Sequence, residues 1–239
     1  MGQTTRLAFE APIGNTEYAL SVSDYIFSIA PMLKIPEYAE AVREARDAGK
    51  ELYIDNGEYE GQRMEIEEYL ELCNTWQPQV AVAPDVIGHY RETCDLVEQF
   101  ILAIGDDRPF KIMLVPQGSS NEDRWNCYER FRWNVDVIGL GLGAFEKNWR
   151  ERFWFSSRLQ FRSGALHILG IANIHDFCLW KGIAETVDTS LPFHLAQECK
   201  NLFTKKETKH LAWGDTLEDE RLRLADASCR IIREILENV

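Results

Sequence analysis

Residues 79–118 read QVAVAPDVIGHYRETCDLVEQFILAIGDDRPFKIMLVPQG. The apolar run at 79–83 has the length of a strand, the mixed apolar and charged run at 89–104 that of a helix, and the apolar run at 111–115 is again a strand. Two such strands joined through a helix are predicted to lie parallel and to be covered on both faces. The alternation extends outward in both directions. Further strands are predicted at 25–30, 51–55, 135–140, 166–171 and 186–189, and further helices at 36–48, 64–74, 122–133, 146–155 and 175–184. At 64–74, Met64, Ile66, Leu70 and Leu72 fall among Glu65, Glu67, Glu68 and Glu71, the mixture of a half-buried helix. The place of an eighth strand is open between 6–11, 19–23 and 209–214. Residues 217–236 carry Leu222, Leu224, Ala225, Ile231, Ile232 and Ile235 at helical spacing and read as a closing helix. No linker, low-complexity tract or internal repeat divides the chain. The expectation is one domain over 1–239, a single (β/α)8 TIM-like barrel with a C-terminal helix. An open doubly wound sheet is disfavoured, because no Gly-rich dinucleotide fingerprint follows an early strand. Gly139-Leu140-Gly141-Leu142-Gly143 is GxGxG without that spacing.

The totals agree with one barrel and narrow the function classes. A chain of 239 residues, 45% hydrophobic and 11% aromatic, can fill a sizeable core, which excludes disorder as its main state. No apolar stretch reaches the length of a membrane span. Met1-Gly2-Gln3-Thr4-Thr5-Arg6 lacks the apolar run of a secretory leader, and Gly2 matches a myristoylation pattern only as chance allows, so a cytoplasmic location is expected. Cys73, Cys94, Cys127, Cys178, Cys199 and Cys229 stand singly, without a CxxC pair or zinc-ligand spacing. They read as reduced, mostly buried thiols, and no metal is expected. A formal net charge of −13 argues against a generally basic, sequence-independent nucleic-acid binder.

In a parallel barrel the chemistry sits at the carboxyl ends of the strands. Here those ends carry Asp55-Asn56-Gly57-Glu58-Tyr59, Pro84-Asp85, Pro116-Gln117-Gly118, Gly139-Leu140-Gly141, Leu169-Gly170-Ile171-Ala172-Asn173 and Asp188-Thr189-Ser190. Each has an ordinary reading. Asp55 can cap the turn before the helix at 64, Asp85 the helix at 89, and Asp188 a helix beginning near Leu191, while Gln117 can satisfy loop backbone and Tyr59 can be a packing aromatic. Three aspartates and a glutamine at one end of one sheet are harder to explain in that way, since they would converge on a pocket.

Taken in order, these segments resemble the tRNA-guanine transglycosylase superfamily, most closely its shorter, zinc-lacking branch that inserts 7-deazaguanines into DNA in phages and some bacteria. The family's Asp-Ser-Gly-Gly-aromatic motif is similar to Asp55-Asn56-Gly57-Glu58-Tyr59, and its guanine-binding Asp to Asp85. Its Val-Gln-Gly-Gly resembles Val115-Pro116-Gln117-Gly118, with one intervening Pro, and its Gly-Gly-Leu-x-x-Gly resembles 139–143. Its Leu-Met-Gly-Val-Gly is similar to Ile168-Leu169-Gly170-Ile171-Ala172, and its Gly-Val-Asp to Thr186-Val187-Asp188. The matches run from about Tyr53 to Pro192. Two departures stand beside them: the Cys/His zinc site of the tRNA enzymes is missing, and Leu191 stands where they place a nucleophilic Asp.

The resemblance implies replacement of guanine in DNA by a free 7-deazaguanine such as the 7-cyano form, without a cofactor. Retention at C1′ requires two inversions and a carboxylate nucleophile, assigned to Asp188, with Asp55 assisting proton movement. Asp85 would accept from N1–H and the 2-amino group of guanine. Gln117 and the amides of Gly139, Leu140 and Gly141 would donate to O6, Asn56 and Gly170 would line the pocket, and Tyr59 and Leu169 would sandwich the ring. The stretch from Arg124 to Arg162 is locally basic. Its Arg150, Arg152, Arg158 and Arg162, with Arg130, Arg132 and Lys147, lie among Trp125, Trp133, Trp149, Phe153, Trp154 and Phe155, which suits strand binding or a solvated helix face over an aromatic core. Lys205, Lys206 and Lys209 form a smaller basic patch, ordinarily surface. The same chemistry on tRNA or free nucleosides, a non-catalytic purine-binding or partner-subunit barrel, and a homodimer remain open.

Overall fold

The computed structural model describes residues 4–105, 107–141, 149–159, 165–200, 202, 213–214 and 216–237. Its strands are β1 (Arg6–Phe9), β2 (Ile26–Ile29), β3 (Leu52–Asp55), β4 (Val80–Val82), β5 (Lys111–Leu114), β6 (Val137–Gly141), β7 (Ala165–Leu169) and β8 (Thr186–Thr189). They form one sheet in the order β1-β8-β7-β6-β5-β4-β3-β2. Parallel registers include Leu7 with Val187 and Ala8 with Asp188, Ile54 with Ala81, Ala81 with Ile112, and Leu114 with Ile138. Helices alternate with the strands: α1 (Thr16–Val22), α2 (Pro36–Asp47), α3 (Ile66–Trp76), α4 (Tyr90–Ile104), α5 (Asn121–Phe131), α6 (Trp149–Leu159), α7 (Ile174–Trp180), α8 (Leu191–Gln197) and the C-terminal α9 (Asp219–Glu237). This is the expected (β/α)8 TIM-like barrel fold with a closing helix.

The eighth strand lies within 6–11. Residues 19–23, an alternative for it, belong instead to α1 and the residue after it, and most of 209–214 lies outside the described residues. Ala19-Leu20-Ser21-Val22-Ser23 alternates much as a strand does, but the buried positions are Thr16, Ala19 and Leu20, three and four residues apart, and that period is helical. Strands β2, β3, β4 and β8 are buried at every position, as strands covered on both faces must be. The longer helices bury one stripe each: Thr93, Cys94, Val97 and Phe100 on α4, and Ala225, Ser228, Cys229, Ile232 and Leu236 on α9.

The chain divides into two compact units. The first gathers the described residues of Met1–Phe27, Pro36–Lys50 and Ile168–Val239. Its core includes Leu7, Val42, Phe177, Val187, Phe193 and Ile232. Polar ties close it: Tyr18 Oη donates to Asp226 at 2.6 Å, Arg233 to the Val22 carbonyl at 2.6 Å, and Lys50 Nζ to the Leu20 and Ser23 carbonyls at the end of α1.

The second unit comprises Ser28–Ile35 and Glu51–His167. Its core includes Ile54, Ala81, Phe100, Ile112, Leu114 and Tyr128. Tyr69 of α3 stacks on Phe100 with ring centroids 5.7 Å apart. Its hydroxyl reaches the carbonyls of Ile54 at 3.0 Å and Val82 at 2.9 Å, so one α3 side chain is bonded to both β3 and β4 near their carboxyl ends. The cysteines are free thiols; Cys73, Cys94, Cys127 and Cys229 are buried, and Cys178 and Cys199 exposed. Among the described residues no helix is long and apolar enough to cross a membrane.

Candidate active site

The expected site residues fall into two groups, one in each unit. In the second unit, β3, β4 and β5 deliver Asn56, Asp85 and Gln117 from the loops that follow them. All three are buried. Asn56 Nδ2 donates to Asp85 Oδ1 at 2.7 Å, and Gln117 Nε2 donates to Asp85 Oδ2 at 2.5 Å. Asp85 is therefore not a helix cap: α4 begins beyond it with His89 as N-cap, and the Val86 amide is served by Thr93 Oγ1 at 3.0 Å. Gln117 does both things its position allows, since its Oε1 accepts from the Gly88 amide at 3.2 Å while its other end holds Asp85. Asn56 is oriented in the same way, its Oδ1 accepting from the Glu58 amide at 2.8 Å. Glycine follows Gln117 because a Cβ at Gly118 would stand 2.3 Å from Asp123 Cβ in the first turn of α5.

Burial pushes the Asp85 carboxyl up to about 6, the amide donors of Asn56 and Gln117 pull against that, and the nearby Glu58 adds to it. A carboxylate has about four lone-pair sites, so two amide donors leave it able to accept from a ligand that presents adjacent N–H groups. Asp55 accepts from the Gly57 amide at 2.9 Å, a local turn of the ordinary kind. Tyr59 sits in the turn that follows and is 53% exposed. Gly139 and Leu140 are buried within β6, and Gly141 closes it. Leu142 and Gly143 lie outside the described residues.

In the first unit, Leu169 ends β7 half-buried and Gly170 follows it with φ +66°, a left-handed turn that favours glycine. That turn directs the Gly170 amide to Asp188 Oδ2 at 3.0 Å. Asp188 is buried on β8. It does not cap α8: Thr189 Oγ1 accepts the Leu191 amide at 3.0 Å. Asn173 is an ordinary cap, its Oδ1 accepting from the His175 and Asp176 amides that open α7.

The arginines separate into different roles. Arg152, expected on a nucleic-acid face, is instead buried and donates to the Leu140 carbonyl, so it braces β6. Arg130 pairs with Glu98 at 2.8 Å and Arg132 with Glu129 at 3.3 Å. Arg150 and Arg158 are exposed. Arg162, Lys147, Lys205, Lys206 and Lys209 lie outside the described residues. Sequence reasoning gave no role to Glu58, whose Oε1 accepts from the Ile87 amide at 3.3 Å and whose other oxygen lies 3.7 Å from Arg63. Nothing in the sequence singles out this pair, since the acidic stretch 37–71 also holds Arg43, Arg46 and Lys50. Among the described residues no group of three His, Cys, Asp or Glu is arranged to hold a metal ion. No protein-family model matches the chain, and no curated protein matches it.

Proposed function

We propose that this chain is a pentosyltransferase that exchanges guanine in DNA for a free 7-deazaguanine base such as 7-cyano-7-deazaguanine. Asp188 attacks C1′ and forms an aspartyl–sugar ester as the C1′–N9 bond breaks. Guanine leaves with a proton delivered by an acid, the role given to Asp55. The incoming base gives its own proton to the Asp55 carboxylate as its N9 attacks C1′, and the Asp188 carboxylate is released. Two inversions return the sugar to its starting configuration, and no electron or phosphoryl group moves, so the chemistry requires no cofactor.

The observation that carries this reading is the buried Asp85 carboxylate held between the amides of Asn56 and Gln117. A buried carboxylate with fixed amide neighbours suits the N1–H and 2-amino edge of a guanine taken out of the stack. Gln117, the β6 glycine segment, Tyr59, Leu169 and Gly170 take the remaining contacts that the family resemblance implies. The net charge of −13 favours a second reading, the same exchange on a free nucleoside, which needs no polyanion contact.

The test is incubation with duplex DNA, single-stranded DNA, tRNA and guanosine, each with labelled guanine or 7-cyano-7-deazaguanine. Incorporation into DNA but not tRNA supports the first reading, and incorporation into guanosine alone supports the second. Binding of the free base without exchange on any substrate would leave a purine-binding barrel. A denaturation-resistant enzyme–DNA adduct with the wild type and none with Asp188→Ala identifies the nucleophile; normal turnover by Asp188→Ala refutes that assignment.

A further inference from the structure

The second unit carries a surface feature that base exchange itself does not use. Between Arg124 and Arg162 the sequence holds eight basic residues and four acidic ones, against −13 for the whole chain. Much of that charge is spent internally, on the Leu140 carbonyl by Arg152 and on glutamates by Arg130 and Arg132. Arg158 differs. Its guanidinium carbon lies 3.9 Å from the ring centroid of Trp125 on α5 and 4.8 Å from that of Trp154, one turn earlier on its own helix α6. Among the described residues no carboxylate pairs with it. Trp154 is 50% exposed. A second exposed indole lies at the end of α5, where Trp133, 77% exposed, has its ring 4.7 Å from Arg132, a guanidinium that is also paired with Glu129.

We infer that the Arg158–Trp125–Trp154 cluster, with Trp133 as a second platform, is a binding site for single-stranded nucleic acid. A guanidinium held against indoles is already ordered, so its in-plane N–H groups engage a phosphate with little further loss of freedom. The exposed indole face of Trp154 offers a surface on which an unpaired base stacks, and every base has such a face. A duplex keeps its bases stacked inside and supplies only the phosphate, and an acidic peptide supplies charge without a ring. A cation that no carboxylate among the described residues pairs with and the exposed rings together therefore favour a single strand. The inference deepens the polymer-acting reading and rests on it only for the choice of DNA as probe.

The experiment is fluorescence anisotropy with a labelled oligothymidylate of about twelve nucleotides, within the usual footprint of such surfaces, titrated with the intact protein over a range of salt. Intrinsic tryptophan quenching is followed in parallel. The wild type binds and its tryptophan emission is quenched. Arg158→Ala weakens binding about tenfold and lowers the slope of log affinity against log salt by about 0.7, the share of one phosphate on a single strand. Arg158→Lys keeps the slope and loses affinity. Trp154→Ala and Trp133→Ala each lose about tenfold with the slope unchanged. A bracing role for Arg158 would move the melting temperature and leave the salt slope alone.

Unaltered affinity in all four variants overturns the inference, as does equal binding of duplex with the same dependence on Arg158. Equal competition by polyglutamate overturns it in favour of an acidic protein partner. The two proposals fail separately. Single-strand binding without base exchange leaves this site standing and condemns the enzymatic reading; exchange on guanosine without strand binding does the reverse.

Discussion

Replacing Asp85 by Asn removes a buried charge while keeping the side-chain shape, and the effect on stability has a sign that depends on pH. In the folded chain burial raises this carboxyl from its ordinary 3.8 to about 6. Between those two values the folded state holds a proton that the unfolded state has released, so stability falls as pH rises through the interval. Above about 6 both states are ionised and the penalty is constant. At about 1.4 kcal/mol for each tenfold change in proton affinity, the full penalty is about 3 kcal/mol. The substituted amide carries no such term. It has its own penalty, because Asn56 and Gln117 both present N–H groups to the position and one would face the new amide nitrogen, at about 1–3 kcal/mol whatever the pH. The two effects nearly cancel at neutral pH, and only the pH profile separates them. Urea denaturation of both proteins from about pH 4 to about pH 8 gives the difference directly. Wild-type stability minus variant stability is expected to decline by about 3 kcal/mol up to about pH 6 and then level off. A difference that is flat throughout, or that rises with pH, refutes the reasoning, since a rise would mean that the folded protein stabilises the charge.

Three further outcomes follow from particular contacts. Tyr69→Phe removes the donor shared by the Ile54 and Val82 carbonyls and is expected to lower stability by about 1–3 kcal/mol in denaturant titration, with no change in the residues that face a ligand. Arg152→Met leaves the Leu140 carbonyl without its guanidinium; the melting temperature should fall while affinity for single-stranded DNA stays within about twofold, and a selective loss of DNA affinity would return Arg152 to the binding surface. On the proposed function, discrimination between guanine and adenine in a base-exchange competition should be larger above about pH 6 than below it; selectivity independent of pH would remove Asp85 from base recognition.

The barrel was legible because its strands announce themselves by length and composition. The apolar runs read at 79–83 and 111–115 contain β4 and β5. Parallel strands covered on both faces need continuous apolar runs, and few other arrangements ask for them. Residues 19–23 misled because five residues of alternating polarity contain too little to separate a period of two from one of 3.6. The polar strand ends were legible as positions, while the contacts made there were not. That Gln117 meets Asp85, thirty-two residues away, follows from the neighbouring of β4 and β5. Arg152 was misjudged because charge in a sequence gives no sign of depth, and a guanidinium is buried readily when a backbone carbonyl awaits it.

What distinguishes Asp85 from an ordinary buried carboxylate is that its neighbours have no choice of orientation. A side-chain amide can usually turn over and exchange its donor for its acceptor. Here Asn56 Oδ1 is claimed by the Glu58 amide and Gln117 Oε1 by the Gly88 amide, so a reversal of either would set N–H against N–H. Both NH2 groups are thereby committed to Asp85, and Asp85 is committed to accept from them. A proton on the carboxyl must then occupy one of the remaining lone pairs, the ones a ligand would use. Protonation therefore converts the face offered to a ligand from acceptor–acceptor to acceptor–donor. The ionised form complements the two adjacent donors of guanine, and the protonated form complements the N1 and 6-amino edge of adenine. With the carboxyl poised at about 6, the locked amides would, on the proposed function, make the base preference at Asp85 a function of one proton.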